Sequence, residues 1–249
     1  MRIVSLVPSL TLTLFDLGLD ATQIVGRTPW CIHPKQQVAD VPVVGGTKTP
    51  TLSKIMAAQP DLVVMDQDEN PKAVHDWCIE QGFDVFVCHV KHPDEVPSML
   101  RQLGQAVSRI EQAEYLAAEI EDMLRKAPDS NGEVALPLIW HDPLMAANGA
   151  TYAGNMISWL GYAVPMIEPS GTGYPEVTPN SLIEHGVQHV FLTTEPHDFS
   201  VEEGLALQQA VVEAGGIGLS LHHIDGEALT WMGSYTAKAL HHLLEHHRL

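Results

Sequence analysis

The chain has 249 residues, 45% of them hydrophobic, and a formal net charge of −18 from 13 Lys and Arg against 31 Asp and Glu. That balance leaves no basic face for phosphate groups, which argues against nucleic acid as a partner. No apolar stretch approaches the roughly 18 residues that a membrane-spanning helix needs, so we do not expect a membrane-embedded protein. Three cysteines are too few for a disulfide framework.

The first half of the chain alternates strand and helix patterns. Strands are predicted at 3–7, 23–27, 41–44, 61–65 and 84–90, and helices at 9–17, 52–58 and 70–81. Apolar strands with helical segments between them are typical of a mostly parallel sheet that is covered on both faces. The sequence therefore predicts an N-terminal α/β lobe over residues 1–93.

A single long helix is predicted over residues 94–126. Its apolar residues follow the spacing of one helical face, at Val96, Met99, Leu100, Leu103, Val107, Ile110, Ala113, Ala117, Ile120 and Leu124. Asp94 is a candidate N-cap, Pro97 falls in the first turn, and Gly104 is the one weak interior position. At about 1.5 Å per residue the helix would be about 48 Å long. Such a rod between two lobes would leave a cleft that cannot close far, which favours a binding protein over a hinged enzyme.

The second half, residues 127–249, repeats this alternation and predicts a C-terminal α/β lobe. Strands are predicted at 134–140, 163–167, 189–193 and 219–224, and helices at 153–160, 179–185, 201–213 and 230–246. Segments 53–68 and 180–195 share a helix–turn–strand pattern at an offset of 127 residues, although any two βα units could share it by chance. The predicted fold class is α/β, with two Rossmann-like lobes of mostly parallel sheet bridged by one long α-helix.

Three residues near the ends of predicted strands are candidate metal ligands. Cys31 and His33 stand two apart on an extended loop after the second strand, and thiol and imidazole both suit soft or borderline metals. His141 directly follows the first strand of the second half. Each position has a plainer alternative: a buried thiol with a surface histidine at the first, and a turn capped by Asp142 at the second.

The sequence lacks the motifs of common catalytic sites. It contains no G-x-S-x-G nucleophile elbow, no G-x-x-x-x-G-K-[ST] phosphate loop and no H-E-x-x-H zinc motif. Instead, acidic residues follow two strands that the 127-residue offset makes equivalent, Asp68 and Glu69 in the first half and Glu195 in the second. Ligands bind at the carboxyl ends of strands in open α/β sheets. We therefore predict no catalytic residues and a binding site at these strand ends.

Seven short segments carry a resemblance that covers nearly the whole chain: RIVSLVPS at 2–9, VGRT at 25–28, VGGT at 44–47, PDLVV at 60–64, WHDPLM at 140–145, YPEV at 174–177 and DGE at 225–227. No single segment is specific, but the series resembles the helical-backbone metal receptor family, the class III periplasmic substrate-binding proteins that include vitamin B12-binding proteins. The resemblance implies two α/β lobes bridged by one long helix. It also implies that cobalamin, haem or a ferric siderophore binds in the interlobe cleft and passes to an ABC importer.

The chain departs from the family's pattern at several points. Corrinoid-binding members carry aromatic residues where Thr47 and Asp66 stand here, although Tyr174 keeps an aromatic. The importer contacts an acidic residue on each lobe of family members, and the first-lobe match falls near Lys72. Exported members also carry a signal peptide. The chain therefore resembles a signal-less branch, and we expect it to be cytoplasmic as written, or periplasmic if an upstream signal has been removed.

We predict a non-catalytic protein that binds a metal chelate, with cobalamin or another corrinoid as the first candidate and no cofactor required. The predicted ligand-binding residues are Trp30, Glu69, Trp140, Met145, Tyr174, Glu195 and Trp231. The predicted ligands to the metal are Cys31, His33 and His141. The predicted partners are the small-molecule chelate and an ABC transporter permease. Two alternatives stay open: a cytosolic transition-metal, haem or siderophore-binding protein without a transporter, and an enzyme that modifies corrinoids or tetrapyrroles.

Overall fold

The computed structural model describes residues 1–130, 132–167 and 173–247, and the chain divides into two compact units. Unit 1 comprises Met1–Val90, Glu95–Glu121 and Trp231–Tyr235, and unit 2 comprises Lys91–Asp94, Asp122–Thr230 and the chain from Thr236 onwards. The predicted divisions at 93 and 126 did not anticipate that a segment near the C-terminus belongs to unit 1. Across the described residues, no helix combines the length and the apolar character that crossing a lipid bilayer requires.

Unit 1 is built on a parallel sheet of four strands. The boundary between unit 1 and unit 2 falls inside α6. The elements up to that boundary are β1 (Ile3–Ser5), α1 (Pro8–Asp16), β2 (Ile24–Arg27), α2 (Lys35–Val38), α3 (Leu52–Ala58), β3 (Leu62–Asp66), α4 (Lys72–Glu80), β4 (Asp84–Cys88), α5 (Val96–Ala106) and α6 (Ile110–Leu124). The strand order is β2-β1-β3-β4, and each neighbouring pair runs parallel. All residues of β1 and β3 are buried, as expected of central strands covered on both faces.

The predicted strand at 41–44 is wrong. This part of the chain makes isolated bridges instead, a parallel one between Val43 and Arg27 and an antiparallel one between Gly45 and Pro50. Pro42 has no N–H to donate to a neighbouring strand. Gly45 adopts a φ of +118°, which glycine tolerates and other residues rarely do. The chain therefore turns here before a regular strand can form.

The predicted single helix over 94–126 is also wrong, because α5 and α6 are separate helices. Ser108 adopts a left-handed conformation between them, with a φ of +56°. The N–H of Arg109 donates to the carbonyl of Gly104 (2.7 Å), and the N–H of Ser108 donates to that of Gln105 (3.2 Å). This bonding pattern is a Schellman-type helix end. The apolar spacing continues through the break because both helices bury one face, so the spacing alone could not reveal it.

The two helices pack against each other and do not follow one axis. Arg101 of α5 donates from Nε to Glu114 Oε2 and from Nη1 to Glu121 Oε1 of α6, each at 2.7 Å. On one straight helix, which rises about 1.5 Å per residue, Glu114 and Glu121 would lie about 20 and 30 Å from Arg101 along the axis. Gly104 permits the close approach, because a Cβ at this position would collide with the Cβ of Ala113. A rod of about 48 Å is therefore not formed.

Unit 2 contains a mixed sheet of four strands. Its elements are β5 (Ala135–Trp140), β6 (Met145–Ala146), α7 (Tyr152–Trp159), α8 (Pro179–Glu184), β7 (His189–Thr193), α9 (Val201–Glu213), β8 (Ser220–Ile224), α10 (Gly226–Thr230) and α11 (Thr236–His246). The strand order is β6-β5-β7-β8, with β6 antiparallel to β5 and the other pairs parallel. The predicted strand at 163–167 is reduced to a bridge between Ala163 and Val134. The predicted helix at 230–246 is interrupted over 231–235.

The two sheets share one arrangement of their parallel strands. β1, β3 and β4 are neighbours in unit 1 in the same order as β5, β7 and β8 in unit 2. β3 and β7 are each five residues long, start 127 residues apart and follow the helices α3 and α8. The offset in the sequence therefore relates strands in equivalent positions. The predicted α/β class with two mostly parallel sheets is confirmed.

Candidate functional site

The segment after β2 holds two of the predicted metal ligands, Cys31 and His33. Cys31 is fully buried, and its Sγ lies 3.0 Å from Thr11 Oγ1 and 3.2 Å from Thr28 Oγ1. Burial raises the pKa of this thiol above its ordinary value, which disfavours the thiolate form that binds metals. The plainer alternative of a buried structural thiol fits this position better than a metal ligand does.

Two predicted site residues of unit 1 are tryptophans, and they differ in exposure. Trp30 is 65% exposed, whereas Trp231 is 6% exposed. The ring of Trp231 packs edge-on against that of His33, with centroids 5.5 Å apart, and against that of Tyr235 at 6.1 Å. Trp30 is therefore open to a ligand, while Trp231 serves as a packing partner for the half-buried His33.

The end of β3 carries a tight turn that positions Glu69. Asp66 is 4% exposed, and its Oδ1 accepts hydrogen bonds from the N–H groups of Asp68 (2.8 Å) and Glu69 (3.1 Å). Burial raises the pKa of the Asp66 carboxyl. The backbone N–H of Asp66 donates to Asn70 Oδ1 (2.8 Å), which closes the turn from the other side. The half-buried Glu69 is therefore held on a fixed turn at the carboxyl end of a central strand.

Unit 2 brings Trp140, Met145 and the segment of Tyr174 to one sheet edge. Trp140 is the last residue of β5 and pairs with Met145 in β6, and Met145 in turn bridges to Glu176. Trp140 is 42% exposed, and its Nε1 donates to the carbonyl of Asp142 (3.0 Å). An exposed indole beside a thioether and a tyrosine segment is an apolar surface that a flat ligand can cover. We name it the indole edge.

Glu195 follows β7 as Glu69 follows β3, and it packs against α10. Its Oε1 accepts a hydrogen bond from Thr230 Oγ1 (3.2 Å). Gly226 makes this approach possible, because a Cβ there would collide with the Cγ and the backbone of Glu195. The carboxylate of Glu195 is therefore positioned by contacts within unit 2.

His141 meets two residues that the sequence-based prediction omitted, His197 and Glu203. The Nε2 of His197 lies 3.0 Å from Glu203 Oε1, and the Nε2 of His141 lies 3.7 Å from the same oxygen. The two imidazole rings are stacked, with centroids 5.5 Å apart and planes at 16°. Within the described residues this is the one group of three or more metal-ligating side chains, and it includes neither Cys31 nor His33. We name it the His–His–Glu cluster.

Sheet topology explains why the sequence-based prediction missed two members of this cluster. His197 and Glu203 lie 56 and 62 residues after His141 in the chain. β5 and β7 are adjacent parallel strands, so the residues that follow them meet at one edge of the sheet. Glu203 also forms a capping box with Ser200 at the start of α9. The capping box indicates a helix start in the sequence, but only the adjacency of β5 and β7 reveals that Glu203 faces His141.

Unit 1 also contains a hollow of about 540 Å³, and its lining includes Arg2, Val25 and Lys54. Arg2 precedes β1, so this hollow borders the amino end of a central strand. Ligands of open α/β sheets bind instead at the carboxyl ends of the strands. The lining contains none of the predicted site residues. We therefore assign no ligand to it.

The fold and the side chains at these strand ends indicate a ligand-binding protein. Two α/β sheets of equivalent strand order carry aromatic, imidazole and carboxylate side chains at or after the carboxyl ends of their strands, where open α/β sheets bind ligands. The sequence matches the family described as periplasmic binding protein over residues 3–211, and the chain belongs to that family. Its members are binding proteins and not enzymes, and the same holds for this chain. The predicted resemblance to class III periplasmic substrate-binding proteins is confirmed.

Individual relatives share a modest fraction of identical residues with this chain. One is the vitamin B12-binding protein of Pectobacterium carotovorum subsp. carotovorum (strain PC1), 22% identical over 201 residues that cover 78% of this chain and 72% of the relative. A solved structure is the periplasmic vitamin B12 binding protein BtuF of Vibrio cholerae, with a TM-score of 0.80, 18% identity and coverage of 98% and 95%. Another is the apo form of the periplasmic heme-binding protein RhuT from Roseiflexus sp. RS-1, with a TM-score of 0.78, 22% identity and coverage of 97% and 95%. These two likenesses show a shared fold.

Proposed function

We propose that the chain is the substrate-binding protein of an ABC-type importer and that its ligand is a metal chelate, with cobalamin as the first candidate. The observation that carries the proposal is the indole edge of unit 2, where Trp140 is 42% exposed at the carboxyl end of β5. A second exposed indole, Trp30, follows β2 in unit 1. The relatives described as vitamin B12-binding support a corrinoid over other chelates.

The predicted side chains suit the chemistry of a corrinoid. The exposed indole faces of Trp30 and Trp140 offer flat apolar surface to a macrocycle. The carboxylates of Glu69 and Glu195 are hydrogen-bond acceptors for the amide groups at the corrin periphery. The carboxylate of Glu195 is already held by Thr230, so little of its side-chain freedom is lost when it binds, and the backbone of Glu69 is fixed by the turn after β3.

Haem is the second candidate ligand. The relative from Roseiflexus is described as heme-binding, and imidazole is a common axial ligand of haem iron. His33 is half-buried after β2, and the side chain of His141 is 46% exposed after β5. Either imidazole can occupy an exchangeable axial position on iron or cobalt. The buried thiol of Cys31 is not part of this proposal.

Titration of the purified full chain tests the ligand. Cyanocobalamin, aquocobalamin and haemin are added separately, while tryptophan fluorescence and the absorption bands of each ligand are followed. We expect one-to-one quenching by the cobalamins. A band shift with aquocobalamin alone would place a protein side chain on cobalt, because its upper ligand exchanges readily. Binding of haemin alone would make haem the ligand, and binding of none of the three would contradict the proposal.

Substitutions test where the ligand binds. Trp140→Ala and Trp30→Ala should each weaken binding at least tenfold, about 1.4 kcal/mol, because each removes an aromatic wall. Trp159→Phe is the matched control, since Trp159 ends α7 and its Nε1 donates to the carbonyl of Leu124 (3.4 Å). The control should retain the affinity of the unmodified chain. Equal affinity in Trp140→Ala and in the control would remove the indole edge from the binding site.

A role in import also assigns a location. The structural relatives named above are described as periplasmic, and we propose the periplasm for this chain as well. Osmotic shock of the native cells should release the protein together with periplasmic marker enzymes. Recovery with the cytoplasmic markers would contradict the import role and favour the alternative of a cytosolic chelate-binding protein.

A further inference from the structure

The His–His–Glu cluster of unit 2 has a chemistry that chelate binding does not require. His141, His197 and Glu203 each offer one ligand atom, and these atoms all lie within 4.8 Å of one another. We propose that the cluster binds a free divalent transition metal of the zinc class. The proposal goes beyond the proposed function, because the metal would be held by the protein alone, without a chelating ligand.

The spacing of the cluster suits direct coordination. Zn²⁺ binds imidazole nitrogen at about 2.0–2.1 Å and carboxylate oxygen at about 2.0–2.2 Å, so two ligands of a tetrahedral ion lie about 3.3 Å apart. The distances from Glu203 Oε1 to the two imidazole nitrogens, 3.0 and 3.7 Å, bracket that value. The ligand atoms of His141 and His197 lie within 4.8 Å of each other, so an approach of at most about 1.5 Å brings them to the same separation. Two imidazoles and one carboxylate favour Zn²⁺, Co²⁺ or Ni²⁺ over Mg²⁺ or Ca²⁺.

Glu203 is held in position for this role by the start of α9. Its Oε2 accepts hydrogen bonds from the N–H (2.7 Å) and the Oγ (3.1 Å) of Ser200, which leaves Oε1 directed at the imidazoles. The backbone N–H of Ser200 holds the pKa of the Glu203 carboxyl below its usual range, so the group is ionised at neutral pH. Outer hydrogen bonds of this kind orient the ligands of metal sites.

The two imidazole rings pack against Phe199 and are open to solvent on one side. Phe199 is 5% exposed, and its ring lies edge-on to those of His197 and His141, with centroids 4.7 and 6.2 Å apart. The side chain of His141 is 46% exposed, so an ion can enter from solvent and keep water in its remaining positions. The alternative is an ion pair without metal, in which a protonated imidazole donates to Glu203.

Metal titration of the full chain, with no chelate added, separates these two states. It is carried out in a His242→Gln/His246→Gln background, because the rings of His242 and His246 stack 4.4 Å apart in α11 and could bind metal themselves. Co²⁺ is the probe, since tetrahedral Co²⁺ absorbs strongly in the visible range. We expect one Co²⁺ per chain with these bands, and displacement of the bound Co²⁺ by Zn²⁺.

Variants in the same background locate the ion. His197→Gln and Glu203→Gln should each weaken Co²⁺ binding at least tenfold and bleach the visible bands. Glu203→Gln keeps the capping box, because glutamine at this position also accepts from the N-cap N–H, so α9 is retained. His185→Gln is the matched control, since His185 contacts the carbonyl of Ser181 through Nδ1 (2.8 Å), outside the cluster.

Two results would overturn the metal site. One is the absence of Co²⁺ binding by the background protein, and the other is Co²⁺ binding that His197→Gln and Glu203→Gln retain at the strength of the control. Circular dichroism and thermal unfolding of the metal-free variants verify that each is folded. Neither result bears on chelate binding, because no chelate is present in the titration.

Discussion

Asn70 joins three parts of unit 1 through one buried side chain. It is 6% exposed, donates to the carbonyls of Leu6 (3.2 Å) and Thr47 (3.0 Å), and accepts from the N–H of Asp66 (2.8 Å). Alanine would leave these backbone groups without their partner, at about 1–3 kcal/mol for an unsatisfied buried group. We therefore expect Asn70→Ala to lower the free energy of unfolding by about 3 kcal/mol, as measured by urea denaturation.

Two further variants give this prediction its controls. Asn180 is exposed in the first turn of α8, so Asn180→Ala should change the free energy of unfolding by less than about 0.5 kcal/mol. Asn70→Asp keeps an acceptor for the Asp66 N–H but loses both donors, so it should also destabilise. If Asn70→Ala were as stable as Asn180→Ala, the three parts of unit 1 that Asn70 joins would not depend on this side chain.

The candidate site was only partly within reach of the sequence. Trp140 ends a strong strand pattern and His141 directly follows it, so their place at a strand end could be predicted, and their role in binding stays a prediction. His197 and Glu203 could not be found in this way, because their local patterns are fully explained by a turn and a helix start. Their meeting with His141 depends on which strands are neighbours, and a single sequence does not state that.

At the scale of elements, Gly104 shows how tertiary contact overrides helix propensity. Alanine is favoured over glycine inside a helix by about 1 kcal/mol, so propensity alone predicts that Gly104→Ala stabilises the chain. A Cβ at this position would collide with the Cβ of Ala113 on α6, and overpacking costs about 1–3 kcal/mol. We expect Gly104→Ala to lower the free energy of unfolding by about 1–2 kcal/mol, as measured by urea denaturation.

The same substitution in an Ala113→Gly background tests the cause. There the opposing methyl group is missing, so Gly104→Ala should be neutral or stabilising relative to Ala113→Gly alone. The difference between the two backgrounds is the coupling energy of the two positions. An equal effect in both backgrounds would mean that these two positions do not meet.

Element boundaries were predictable where local signals are strong and not where long-range contacts decide. Helices α3 and α9 and strand β7 have the predicted bounds. The break between α5 and α6 carries neither glycine nor proline, and its left-handed residue is Ser108. β6 is two residues long and forms by pairing with β5, so no periodicity could mark it.

At the scale of the whole molecule, the two units follow from two halves with the same pattern of strands and helices. That much is visible in the sequence, because β3 and β7 keep the 127-residue offset. The membership of Trp231–Tyr235 in unit 1 is not visible there. It depends on contacts such as the hydrogen bond from the N–H of Ser234 to Thr13 Oγ1 (3.1 Å), between residues 221 apart in the chain.

Two half-buried imidazoles of unit 2 should make the stability of the whole chain depend on pH. Burial, with smaller contributions from His222, His242 and His246, lowers the pKa of His247 to about 4, and burial also lowers the pKa of His222. A histidine in the unfolded chain has a pKa of about 6.5. Between about pH 6.5 and pH 4 the unfolded chain therefore binds more protons than the folded chain, and the free energy of unfolding falls as the pH is lowered through this window.

The contribution of His247 is isolated by comparing three proteins, because carboxylates that titrate in the same range are common to all of them. Urea denaturation between pH 7 and pH 4.5 should show a smaller loss of unfolding free energy in His247→Gln than in the unmodified chain. His241→Gln is the matched control in the adjacent helix α11, since the side chain of His241 is 61% exposed, and it should keep the full pH dependence. Equal pH dependence in all three proteins would contradict a lowered pKa at His247, because the folded and unfolded chains would then bind protons equally at this residue.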